Sequence, residues 1–177
     1  MTITNSIYGE LNFTLNWYAI HTKNRHEKKV DLRLKEKGIS SYLPLNTVYR
    51  RWSDRYKKVQ EPLFSCYVFV NMNLKDRLSV LQTDGVVCLV AFNGIPATIP
   101  EDQIYAIKKI LEKKQSVEYS DYFIPGKKVK VARGPFKGIE GTLVTNKNNN
   151  RLVIAIEGIK QAISIEIDPR DLELIHI

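Results

Sequence analysis

Apolar residues recur with one rhythm through the first two thirds of the chain and with another beyond it. Trp17 to His21 is an aromatic and apolar run with strand propensity. From Arg25 to Lys37 there is no Gly or Pro, Val30 and Leu34 stand one helical turn apart, and Gly38 follows, which predicts a helix with a core face and a glycine C-cap. On that helix Arg25, Lys29 and Arg33 fall at i, i+4 and i+8 and form a basic stripe, while Asp31 and Lys35 pair acid before base. Ser41 to Pro44 predicts a short strand, and Thr47 to Phe64 reads as two strands around the charged tip Ser53-Asp54-Arg55. Tyr67 to Val70 is apolar throughout, as in a sheet strand covered on both faces. Lys75 to Gln82 predicts a helix with Leu74, Leu78 and Leu81 inward. Val86 to Phe92 is a strand before the Asn93-Gly94 turn signal, and Pro100 opens a helix with Ile104, Ile107 and Leu111 inward.

Ser116 to Ile124 shows no periodicity and reads as a linker, after which the elements shorten. Val129–Ala132, Gly141–Thr145, Leu152–Glu157, Ala162–Ile167 and Leu172–Ile175 are short strands separated by Gly, Pro and Asn. Such a series predicts a small closed barrel, with the glycines at 134, 138 and 141 in tight turns. The β-branched residues Val153, Ile154, Ile156, Ile163, Ile165 and Ile167 favour strand over helix there.

Charge refines this picture. From His21 to Gln60 there are twelve Lys or Arg against four Asp or Glu, a surplus of eight that equals the net charge of the whole chain. An excess confined to one quarter of the sequence, including the hairpin cations Arg50, Arg51, Arg55, Lys57 and Lys58, suits a surface facing a polyanion. A solvated basic helix and hairpin is the plainer reading. No apolar run approaches the roughly 18 residues that span a bilayer, and Met1 to Thr14 resembles no leader; it is expected to be a disordered tail on a cytoplasmic protein with no membrane association. Cys66 and Cys88 lack C-x-x-C spacing and suit buried strand positions in a reducing compartment. Three His without metal-ligand spacing, and no phosphate-binding glycine motif, predict a protein without metal, cofactor or catalytic function. The absence of heptads predicts a monomer.

Three segments in order carry a family resemblance. Trp17-Tyr18-Ala19-Ile20-His21-Thr22-Lys23 resembles the opening of the NusG N-terminal (NGN) domain, Glu61 to Val70 resembles a strand entry of its RfaH branch, and Gly134 to Gly141 resembles a KOW motif. Tyr42 to Leu45, Arg51 to Arg55 and Val80 to Thr83 are further similar to the UpxY-type antiterminators of Bacteroides-like bacteria, which act on polysaccharide operons. The resemblance implies an α+β NGN domain at 15–115, a mainly antiparallel sheet flanked by helices, then a linker at 116–124 and a small all-β, SH3-like KOW barrel at 125–177.

The same resemblance implies a transcription antitermination and elongation factor. It would dock an apolar depression on the clamp helices of the largest RNA polymerase subunit. By position, Trp17, Tyr18, His21, Phe64, Tyr67, Phe69 and Phe92 form that depression or its support; Trp17, Tyr67 and Phe69 fit core and interface equally, and Phe64 fits interface better. Lys23, Arg25, Lys29 and Arg33 are placed against the non-template DNA strand. Phe136 is implied either as a KOW contact for the small ribosomal subunit or Rho, or as core. The chain departs from the RfaH branch at Asp84, where that branch is basic, which implies a smaller or shifted DNA surface; at Ser65-Cys66 the family commonly carries Pro and then a small or polar residue. A housekeeping NusG-like factor and a free-standing RNA- or ribosome-binding KOW protein are the rival readings.

Overall fold

A computed structural model describes residues 14–113, 117–120, 122, 125–146 and 149–175; the expected N-terminal tail lies almost wholly outside them. The chain forms two compact units, Met1–Ile99 and Pro100–Ile177.

In the first unit, β1 (Asn16–Thr22) is followed by α1 (Glu27–Glu36), β2 (Ser40–Tyr42), the hairpin β3 (Leu45–Arg51) and β4 (Tyr56–Pro62), and β5 (Tyr67–Met72). A single 3-10 turn (Leu74–Asp76) leads into α2 (Arg77–Leu81), and β6 (Val86–Leu89), β7 (Ala91–Phe92), β8 (Ile95–Pro96) and β9 (Thr98–Ile99) complete the unit. The main sheet has the order β2-β5-β1-β6, with β9 also against β1, and every pairing is antiparallel. Alternation along β1 and β5 sends Tyr18, Ile20, Val68, Val70 and Met72 into one cluster with Val30 and Leu34 of α1, Leu74 and Val80. Each fully buried Val or Leu there contributes roughly 1.5–3 kcal/mol.

Several expected boundaries shift for identifiable reasons. α1 begins at Glu27 rather than Arg25, because Arg25 has φ 60°, a left-handed conformation that a right-handed helix does not pass through. The 3-10 turn before α2 changes the phase of the apolar residues, so Leu74 and Val80 are buried while Leu78 is exposed. The single strand expected over Val86 to Phe92 breaks at Val90, whose N–H is donated to Ala19 O at 2.9 Å. Asn93 and Gly94 both have positive φ, as the two-residue turn joining β7 to β8 demands. Neither cysteine fills a buried strand position: Cys66 is half-buried in a turn and Cys88 is exposed on β6.

The second unit opens with α3 (Glu101–Glu112), whose buried residues are Ile104, Ala106, Ile107 and Ile110; Ile110 takes the place expected for Leu111. The segment expected as linker contributes a strand, β10 (Val117–Ser120), paired with β14. β11 (Lys127–Val131), β12 (Glu140–Asn146), β13 (Asn149–Ile156), β14 (Gln161–Glu166) and β15 (Leu172–Leu174) make a six-stranded antiparallel sheet in the order β10-β14-β13-β12-β11-β15. Among the described residues no ladder joins β10 to β15, so strand pairing does not close the expected barrel. Gly141 lies within β12, not in a turn. A Cβ there would stand 2.5 Å from Val153 O of β13, so the glycine permits close strand approach. The architecture is an α+β unit followed by a second unit in which α3 precedes an all-antiparallel sheet.

Candidate functional site

The expected docking aromatics divide between the two faces of the first sheet. Tyr18 belongs to the α1 face and is fully buried among its core residues. The opposite face carries Trp17, Ala19 and His21 from β1, in register with Asn71, Phe69 and Tyr67 of β5. Phe69 is held between Tyr42, stacked at 6.4 Å, and Phe64, edge-on at 6.0 Å. Trp17 is buried, and Phe64 and Phe69 are 0% exposed. The placement of Phe64 as a surface contact is therefore corrected: its ring is core and supports the sheet.

Three of the seven aromatics are accessible. His21 and Tyr67 are half-buried neighbours with their rings edge-on at 5.3 Å, and Cys88 of β6 extends the same row, since His21 is in register with both. Burial pushes the Tyr67 hydroxyl above its ordinary value, and the negative charge that Cys66 and Cys88 carry as thiolates adds to the shift. Phe92 is 42% exposed and stands in register with exposed Ile95 across the β7–β8 turn. Aromatic rings with one open side suit a protein contact, because each removes a large apolar area from water at small entropic cost.

The turn leading into Tyr67 has its own support. Cys66 takes φ 65°, donates its N–H to the Glu27 carboxylate at 2.8 Å, and presents its carbonyl to the N–H of Thr22 at 2.8 Å. Glu27 is buried at the start of α1, where a negative charge is favoured. One acid thus ties α1, β1 and the turn before β5 together.

The four expected DNA-binding cations gather at the N-terminal end and one side of α1, but they are not equivalent. Arg25 sits in the preceding turn rather than on the helical stripe, and it and Lys29 are exposed. Arg33 donates to Asp84 twice, to the carboxylate at 2.6 Å and to the backbone carbonyl at 2.7 Å. Lys23 is 4.0 Å from the other oxygen of the same carboxylate. The departure noted at Asp84 is thus an acid set between two of the four cations. Gly85 lets it come so close: with φ +98° its Cα packs where a Cβ would lie 2.8 Å from Val30, drawing the loop onto α1. Sequence reading singled out Asp84 but not its partners, because the contact spans about 50 residues and depends on the sheet.

Phe136 is 2% exposed and its carbonyl accepts the N–H of Ile139, so the ring belongs to the core of the second unit. Arg133 and Lys137 on either side are exposed. Among the described residues no group of three or more His, Cys, Asp or Glu is placed to hold a metal ion, and no helix is long and apolar enough to cross a membrane.

A family model described as "Transcription termination factor nusG" matches residues 15–108, more than half of the chain. This chain belongs to the NusG family. The NusG termination/antitermination protein of Lactococcus lactis is 27% identical to it over 92% of this chain and 95% of its own length. That of Rickettsia typhi is 26% identical over 94% of each. The solved structure of Thermotoga maritima NusG, titled for its domain interaction, superposes with a TM-score of 0.54 at 20% identity, covering 93% of this chain and 99% of that one. It shares the fold: an α+β N-terminal region followed by an all-antiparallel-β C-terminal one. NusG proteins are transcription factors and not enzymes, which fits a site built from aromatic rings and cations.

Proposed function

We propose that this NusG-family chain is a transcription termination/antitermination factor that binds RNA polymerase through the accessible His21–Tyr67 end of the sheet face turned away from α1, with Phe92 as a further contact, and touches the exposed non-template DNA strand through Lys23, Arg25, Lys29 and Arg33. The observation that carries the reading is the family match over residues 15–108 together with a row of half-buried aromatics on the sheet face turned away from α1. Trp17, Phe64 and Phe69 are buried on the same side of the sheet and support that row. The largest-subunit clamp helices are the proposed polymerase contact. A partner of the second unit, the small ribosomal subunit or Rho, would meet Arg133 and Lys137 rather than the buried Phe136 ring. The domains are proposed at 15–115 and 125–177.

A narrower reading makes the factor operon-specific, suppressing pausing and termination on polysaccharide operons as UpxY-type antiterminators do. Its support is the run of residues at Tyr42 to Leu45, Arg51 to Arg55 and Val80 to Thr83. The relatives named above support the general reading more directly. Single-round transcription across a pause and an intrinsic terminator tests both. The chain changes pause lifetime or read-through, and Tyr67→Asp removes the effect; dependence on a particular DNA element selects the narrower reading. An added chain that alters neither pausing nor read-through on any template refutes the proposal.

A further inference from the structure

The β3–β4 hairpin is a two-stranded sheet of its own, and its two faces differ in kind. Tyr49 is in register with Lys58, and Arg51 with Tyr56, so these four side chains share one face with aromatic and cation alternating both along and across the strands. All four are exposed, and each tyrosine is 70% open. Among the described residues neither Arg51 nor Lys58 takes part in an ion pair. On the other face the charges are already engaged: Arg50 grips Glu61 through two hydrogen bonds of 3.0 and 2.8 Å, and Lys57 lies 4.8 Å over the Trp52 ring.

We infer that the Tyr49–Arg51–Tyr56–Lys58 face of the hairpin is a binding platform for single-stranded nucleic acid, separate from the cations around α1. Two tyrosines on a diagonal of about 7–8 Å offer π faces to successive unpaired bases, and the two cations without ion pairs lie beside them for the phosphates. The face has no aliphatic centre of the kind a protein contact needs; beyond the quartet come Thr47 and Gln60. A duplex keeps its base faces stacked inside and would leave the tyrosines without a partner.

Two neighbouring lysines on opposite faces make the test. The full-length chain is titrated into a short labelled single strand of DNA, the same strand as RNA, and the DNA duplex, and anisotropy is followed. Tyr49→Ala with Tyr56→Ala is expected to weaken single-strand binding about tenfold or more, and Lys58→Glu several-fold. Lys57→Glu, an equal change of charge on the opposite face, leaves affinity within about twofold, because Lys57 lies on the side of the hairpin turned away from the platform. Preference for the DNA or the RNA strand identifies which one the platform takes. Equal losses from Lys57→Glu and Lys58→Glu, an unaffected double tyrosine variant, or tighter binding of the duplex than of either single strand overturns the inference.

Discussion

Because Lys23 and Arg33 share the Asp84 carboxylate, two of the four positive charges near α1 are partly offset before any nucleic acid arrives. The Asp84 side chain is 70% open, so the contact contributes at most about 1 kcal/mol to folding, and its main effect falls on binding. Asp84→Asn should therefore tighten binding to single-stranded DNA and steepen its salt dependence by up to roughly 0.7 in the log–log slope for each cation released. Anisotropy titrations at several salt concentrations measure both; an unchanged slope would show that these cations do not reach the strand. Phe64 teaches the opposite lesson. It stands at the end of the hairpin, where an exposed ring was expected, yet it packs edge-on against Phe69 with no exposure. Sequence pattern separates apolar from polar positions, but not which side of a turn an aromatic ring enters. Phe64→Ala should cost about 3–5 kcal/mol in urea unfolding, as a core ring does, while Phe92→Ala, at a 42% exposed position, should change stability by less than about 1 kcal/mol.

Strands were legible at the scale of elements wherever continuous apolar or β-branched runs stood between turn residues, as in β1, β5, β13 and β14, and helices where an apolar face repeated, as in α1 and α3. What escaped was set by single backbone angles and by tertiary pairing. Arg25 leaves the helical region and shortens α1, a 3-10 turn rotates the apolar residues before α2, and β10 becomes a strand because β14 offers it an edge. Gly141 read as a turn residue because glycine marks turns and close approaches alike. Gly141→Ala should destabilise the second unit by about 1–3 kcal/mol, since its Cβ meets Val153 O; a neutral outcome in thermal unfolding would show that β12 and β13 can part without loss. The hairpin has a pH signature. The Arg50 guanidinium, hydrogen-bonded to Glu61, holds that carboxyl below the usual carboxylate range. Its contribution to strand pairing is thus complete above the ordinary carboxylate value and lost as pH falls through the lowered one. An NMR titration of the Glu61 carboxyl should give a depressed midpoint that Arg50→Gln returns to normal; the same midpoint in both proteins would contradict the pair.

Over the whole molecule, the change of rhythm beyond the first two thirds of the sequence marked the passage from an α+β to an all-β architecture. The concentration of charge between His21 and Gln60 marked α1 and the hairpin as the basic elements. The sharing out of that charge was not legible, because Asp84 and Glu61 neutralise particular cations through contacts that exist only in the fold. Membership of the NusG family leaves one central claim to be measured: that the face bearing His21 and Tyr67 binds polymerase. The most direct measurement is equilibrium binding of the full-length chain to purified core RNA polymerase, for the unaltered protein and for Tyr67→Asp, with circular dichroism to establish that both are folded. The account predicts saturable binding that the aspartate weakens at least about tenfold, by placing a charge where a half-buried ring meets its partner. Equal binding by the two folded proteins would contradict it and place the polymerase contact elsewhere on the molecule.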